Sequence, residues 1–176
     1  MSHPPGDDAG SGRPRRRRAT PEPTPGQRAL ALLVRREHSR KELTRKLRAK
    51  GVDRSDAQAA VERMAEVGWQ SNERFAEQLV RSRAAQGHGP IRIRAELATH
   101  GLDDAAIRAA LERERRGEAH DWGRLACDLA RRRFGRGLAD DRDLQRKAGE
   151  FLIRRGFTIE QMRRAIGRDA FDEDFD

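Results

Sequence analysis

The stretch GLDDAAIRAAL, residues 101–111, decides the fold, because lines of the same shape stand at 51–61 (GVDRSDAQAAV) and 156–166 (GFTIEQMRRAI). They align without gaps: Gly51, Gly101 and Gly156; Val52, Leu102 and Phe157; Ala57, Ile107 and Met162; Val61, Leu111 and Ile166. The likeness runs backward as well. Four residues before each glycine stand Leu47, Leu97 and Leu152, and four before those Leu43, Ile93 and Ala148. Apolar residues one turn apart in otherwise charged segments predict an amphipathic helix. Each glycine then ends that helix in the left-handed conformation, which a Cβ would strain. The apolar residue after it closes over the stripe, and Asp53, Asp103 or Thr158 is placed to cap a second helix.

A further helix precedes each pair: Leu30, Leu33 and Val34 mark the first, Phe75, Leu79 and Val80 the second, and Trp122, Leu125, Leu129 and Phe134 the third. The expected fold is therefore all-α, with three tandem three-helix repeats over 26–70, 71–118 and 119–168. Breaks fall near Gly68 to Ser71 and near Arg116 to His120, where glycine and polar residues interrupt the periodicity. Pro90 follows Gly87-His88-Gly89 and fits the first turn of a helix, where its missing N–H costs nothing. A unit of this size buries too little to stand alone, since each apolar anchor contributes about 1.5–3 kcal/mol against a larger ordering entropy. Neighbouring units must pack on one another, which predicts an elongated, curved, solenoid-like array.

Composition agrees with a thin aliphatic core. The chain has 176 residues, 38% charged and 35% hydrophobic, with no tyrosine and only six Phe and two Trp. Residues 1–25 hold six of the seven prolines and the run Arg15 to Arg18, which predicts a disordered basic arm. Residues 169–176 (DAFDEDFD) form an acidic tail with five acids. The net charge is +9, and by difference residues 26–168 carry +12. Such a body attracts a polyanion or an acidic protein surface. All but four of the 38 basic residues are arginine, the side chain suited to bidentate phosphate and carboxylate contacts. A lone cysteine, Cys127, excludes an internal disulfide and reads as a small core residue. No apolar run is long enough for a signal core or a membrane span, so the expected location is cytoplasmic.

No catalytic, metal or cofactor constellation emerges. The five histidines are scattered, no second cysteine exists, and no phosphate-binding glycine loop is present. Gly135-Arg136-Gly137 reads as a flexible connector, and Asp140, Asp141 and Asp143 as a polar loop before a helix. Trp69 and Trp122 are each expected to staple units together rather than stand exposed. A binding protein without cofactor is favoured over an enzyme. The arginines then carry the interest: a helix that buries Ile93 and Leu97 leaves Arg92 and Arg94 about 100° to either side of Ile93. Arg81 and Arg83 flank the preceding stripe, and Arg74 precedes Phe75. Arg74, Arg81, Arg83, Arg92 and Arg94 are the candidate partner-binding or DNA-binding residues.

The run GWQSNERFAEQLVRSR (68–83) followed by GPIRIRAELATHGLDDAAIRAAL (89–111) resembles the RecX family of bacterial recombination regulators. The shared positions are Gly68, Asn72 to Ala76, Arg81 to Arg83, Gly89-Pro90, Arg92, Ile93, Glu96-Leu97 and Gly101, with a weaker match over roughly residues 26–167. Family members commonly carry aspartate at the Asn72 position and tyrosine or leucine at Trp69. The basic arm and acidic tail lie outside the family pattern. The resemblance implies three three-helix repeats without catalytic residues or cofactors. It further implies binding to the RecA recombinase, chiefly as its filament on single-stranded DNA, with restraint of ATP hydrolysis, strand exchange and repressor self-cleavage. A monomer is expected, with direct DNA contact open. Two other classes remain from the residues themselves. One is a general or helix-turn-helix DNA-binding protein acting without RecA, since 39–64 places two short helices around a glycine turn. The other is a structural adaptor for a different assembly.

Overall fold

The structure, a computed structural model, describes residues 22–116 and 121–167. Among the described residues the chain is helical, with no strand. The first unit holds α1 (Pro25–Leu33), α2 (Arg40–Ala49) and α3 (Arg54–Glu66), and the second α4 (Asn72–Ala85), α5 (Pro90–Thr99) and α6 (Asp104–Arg116). The third holds α7 (Trp122–Phe134), α8 (Arg142–Arg155) and α9 (Ile159–Ile166). Most of the basic arm and all of the acidic tail lie outside the described residues. Helix α1 begins inside the stretch read as arm: Thr24 and Gln27 form a reciprocal capping box and Pro25 takes the first turn.

The three repeat glycines sit where the sequence places them, at φ +82° (Gly51), +80° (Gly101) and +87° (Gly156). Val52 N–H and Phe157 N–H reach back to the Leu47 and Leu152 carbonyls and close the turns. Asp103 and Thr158 cap the helices that follow, through Ala106 N–H and Gln161 N–H; Asp53 occupies the equivalent place without a side-chain bond. Each unit has its own core. Leu32, Leu43, Leu47 and Val61 fill the first with four alanine and methionine neighbours. Phe75, Val80, Ile93, Leu97 and Ile107 fill the second, and Leu138, Leu152 and Phe157 the third. Trp122 reaches from α7 into the second core, and Leu125 packs against both the second and the third. That is the stapling role expected of Trp122.

Several expectations are corrected. Val34 caps the end of α1 and is 79% exposed, because the helix turns Ala29 and Leu32 inward instead. Trp69 is 52% exposed, while the next residue, Gln70, is buried and donates to the His38 carbonyl. Polar Gln70 goes inward because it finds a backbone acceptor there. The Gly135-Arg136-Gly137 segment enters a short 3-10 turn, Arg136–Ala139, anchored by fully buried Leu138. Asp141 agrees with the reading of a polar loop before a helix: it caps α8 by accepting from Asp143 N–H and Leu144 N–H.

The units join end to end twice, through different contacts. At the junction of the second and third units the first turn of α5 meets the last turn of α8, so that Gly89 N–H donates to the Arg155 carbonyl (2.8 Å) and Ile91 N–H to the Gly156 carbonyl (3.0 Å). Orphan donors of one helix thus satisfy orphan acceptors of another. The approach is so close that a Cβ on Gly89 would lie 2.4 Å from the Gly156 backbone. One repeat earlier, Ser39 at the start of α2 meets His100 at the end of α5, Oγ to Nδ1 3.3 Å. The second helices α8, α5 and α2 therefore stack head to tail, with dipoles aligned. At the outer end of α2, Arg28 Nη1 donates to the Lys50 carbonyl (2.9 Å).

Candidate functional site

The structure divides the five candidate arginines. Arg74, in the first turn of α4, has its Nε 2.7 Å from Glu37 Oε1, and its Nη2 donates to the Gly68 and Trp69 carbonyls. It ties the first unit to the second. Arg83 forms a fork on Glu96 of α5, with bonds of 2.8 and 2.6 Å, and this pairing holds the Glu96 carboxyl below its ordinary range despite partial burial. Arg94 pairs with Asp104 of α6 at 3.0 Å. Arg81 and Arg92 are exposed and have no carboxylate partner among the described residues. Helical geometry explains the split, since Arg81 and Arg83 are about 200° apart on α4. Three of the five are therefore already partnered within the chain.

Two further guanidinium groups lie near the junction of the second and third units. Arg133 of α7 and Arg155 of α8 stack on the ring of Phe151, at 4.9 and 5.1 Å from its centroid. Phe134 meets the same ring edge-on at 5.8 Å. Arg155 Nη1 also donates to the Gln86 carbonyl across the junction of the second and third units. Neither arginine has a carboxylate partner among the described residues, so both remain uncompensated positive charges held by π-face and backbone contacts. His88 registers the resulting potential: burial first, then Arg92, Arg155 and Arg83, push it below the ordinary histidine value. Arg92, Arg133 and Arg155 form a positive edge along this junction. Sequence reading missed Arg133 and Arg155; the i, i+4 spacing of Phe151 and Arg155 was the available signal.

The first junction is built differently. Glu42, almost buried at the start of α2, accepts from both nitrogens of the Arg36 fork and lies 3.3 Å from Lys46. Burial alone would raise this carboxyl, but the Arg36 and His38 contacts prevail and hold it at about 2. His38 Nδ1 is 3.0 Å from Glu42 Oε2 without hydrogen-bond alignment. Burial pushes His38 and His100 below their usual values, more than neighbouring carboxylates raise them. Asn72 Oδ1 accepts from Arg40 N–H at 3.0 Å, a task for which an aspartate oxygen serves equally. Beside it a polar hollow of about 510 Å³ is lined by Arg40, Gln70, Ser71, Asn72 and Arg74, with exposed Trp69 next in the chain. No cluster of three or more potential metal-ligating side chains occurs among the described residues, and none of their helices is long and apolar enough to cross a membrane.

Sequence models of the three RecX three-helix domains match in order: the first over residues 27–64, the second over 71–111 and the third over 124–166. The chain belongs to the RecX family. A regulatory protein RecX from Stenotrophomonas maltophilia (strain K279a) is 55% identical over 166 residues, 94% of this chain and 98% of that protein. One from Xanthomonas axonopodis pv. citri (strain 306) is 53% identical over 159 residues, 90% of this chain and 96% of that protein. The crystal structure of RecX from Lactobacillus salivarius superposes with a TM-score of 0.68 at 23% identity, covering 81% of this chain and 92% of that one. That likeness shows the shared all-α repeat fold. RecX family membership and the named relatives give the chain a RecX-type regulatory role.

Proposed function

We propose that the chain is a negative regulator of RecA that binds the RecA filament on single-stranded DNA and restrains its ATPase, strand exchange and coprotease activities. The observation that carries this reading is the ordered match of all three RecX domains across residues 27–166, joined to 55% identity over nearly the whole chain. The physical character of the surface supports it. A body carrying +12 between residues 26 and 168 is drawn to phosphate or to acidic protein. Arg81, Arg92, Arg133 and Arg155 retain uncompensated charge on the second and third units, in place of the five-residue patch expected from spacing. Three joined units touch a repeating partner at several points, and weak contacts on one scaffold add through effective concentration. A filament is then bound more tightly than a free protomer. The chain acts in this reading by occupation, as a monomer in the cytoplasm, without a cofactor or chemistry of its own.

The test is ATP hydrolysis by RecA filaments preassembled on single-stranded DNA, titrated with this protein at two salt concentrations, with binding to bare DNA measured in parallel. Inhibition well below RecA stoichiometry, weakened by salt, is the expected result. Absence of inhibition at equimolar protein, together with tight binding to bare DNA, overturns the reading in favour of a general DNA-binding protein.

A further inference from the structure

The third unit breaks the repeat pattern on the outer face of α8 and α9. Aligned on Gly101 and Gly156, the position of Arg94 is taken by Gly149 and that of its ion-pair partner Asp104 by Ile159, while Ala98 becomes Ile153. A charged pair that covers the second unit is thus replaced by a missing side chain and two exposed isoleucines, Ile153 at 45% and Ile159 at 58%. The result is an open groove of about 620 Å³ whose floor is Gly149, Ile153, Met162 and Ile166. A Cβ on Gly149 would lie 3.4 Å from Met162 Sδ, so the glycine is what leaves the methionine uncovered. Arg142, Arg146 and Arg154 line the rim together with Glu150. Glu150 is shared between Arg146 (2.9 Å) and Arg154 (3.8 Å), Asp143 stands 4.0 Å from Arg146, and Arg142 has no ion pair among the described residues.

We propose that this groove is the docking site of the chain's own C-terminal segment, residues 169–176. The chemistry of that segment complements the groove: DAFDEDFD supplies two phenyl rings, Phe171 and Phe175, four residues apart, and five carboxylates with no base. The rings suit the apolar floor and the carboxylates suit the three rim arginines. The connection is short, because Ile166 itself lines the floor and Phe171 follows only five residues later, a span of at most about 18 Å of extended chain. A tethered segment acts at an effective concentration near the millimolar range, so a free peptide of the same character competes poorly. The inference does not depend on RecA. Its consequence is that the third unit offers its arginines to another anion only after the tail has left.

The full chain provides its own reporter, since its three methionines are Met1, Met64 and Met162. Methyl-labelled methionine is followed by NMR in the intact protein and in a Phe171→Ala/Phe175→Ala variant. A ring over the groove displaces the Met162 methyl signal, while Met64, buried in the first core, stays fixed as an internal control. Docking predicts that the Met162 signal moves in the variant and that Arg142→Glu/Arg146→Glu moves it the same way. A Met162 signal identical in the intact protein and the phenylalanine variant overturns the proposal. A difference that vanishes on dilution overturns it too, in favour of the tail of a second copy.

Discussion

Replacing Gly89 with alanine isolates the contact between the second and third units. Gly89 has φ −84°, a conformation any residue adopts, so alanine brings no backbone strain of its own. Its Cβ would nevertheless lie 2.4 Å from Gly156 C and O and from Phe157 N, all of them backbone atoms that cannot swing aside. Relieving that overlap requires the helix ends to part by more than half an ångström, which breaks or stretches the Gly89-to-Arg155 and Ile91-to-Gly156 hydrogen bonds. With about 1–3 kcal/mol for each of the two orphaned donors, the cost is about 2–6 kcal/mol. In a domain of this size that lowers the melting temperature by about 4–24 °C. Gly51→Ala is the control: it meets nothing within 4 Å, and only its φ of +82° is strained, a cost of about 1–2 kcal/mol. Circular dichroism melts rank the two, and hydrogen exchange at the Ile91 amide reads the junction directly. The reasoning is refuted if Gly89→Ala melts with the wild type and keeps full protection at Ile91, or if both variants lose protection there equally.

Leu97→Ala removes a fully buried anchor of the second core and should cost about 2–5 kcal/mol in denaturant unfolding; an unmoved midpoint would remove it from the core. Arg81→Glu/Arg92→Glu should relieve filament inhibition with stability changed by no more than about 0.5 kcal/mol, because neither arginine has a carboxylate partner to lose, whereas Arg83→Glu also breaks the fork on Glu96. Filament inhibition retained by the double variant would take both residues out of the interface. Acidification should destabilise the fold in two stages. His38, His88 and His100 are held below the usual 6.5, so the unfolded chain takes up protons first and stability falls as pH drops through that value. Glu42 is held at about 2 against a usual 4.5, so its contribution is complete above 4.5 and is lost toward pH 2. A melting temperature flat between pH 7 and 5 contradicts the histidine stage.

The repeat was legible because backbone chemistry repeats: a left-handed turn needs glycine at 51, 101 and 156, and a helix packed on one side needs apolar residues a turn apart. What spacing could not supply was pairing between helices. Arg74 and Glu37 are 37 positions apart, and counting charges does not reveal that one cancels the other. Within the second unit Arg83 and Arg94 are cancelled in the same way by Glu96 and Asp104, so a patch of five arginines in sequence became two free ones in space. Arg133 joined them only because Phe151, from another helix, lies beneath it. Trp69 and Gln70 inverted the expectation from hydrophobicity, since a carbonyl at His38 was waiting for an amide and the indole had no vacancy to fill.

The column of second helices ends in side-chain contacts, whereas its inner junctions use helix on helix. Gly89 cannot cap its own helix and depends on the carbonyls of the next unit. Asp141, at the far end, satisfies the donors of α8 with its own side chain, and Arg28 closes the carbonyl end of α2. A stack built on head-to-tail contacts is in principle an open polymer, able to add units or whole copies without limit. Here side chains of the chain itself already bond backbone groups at both ends, so an added unit would compete with contacts made within the chain.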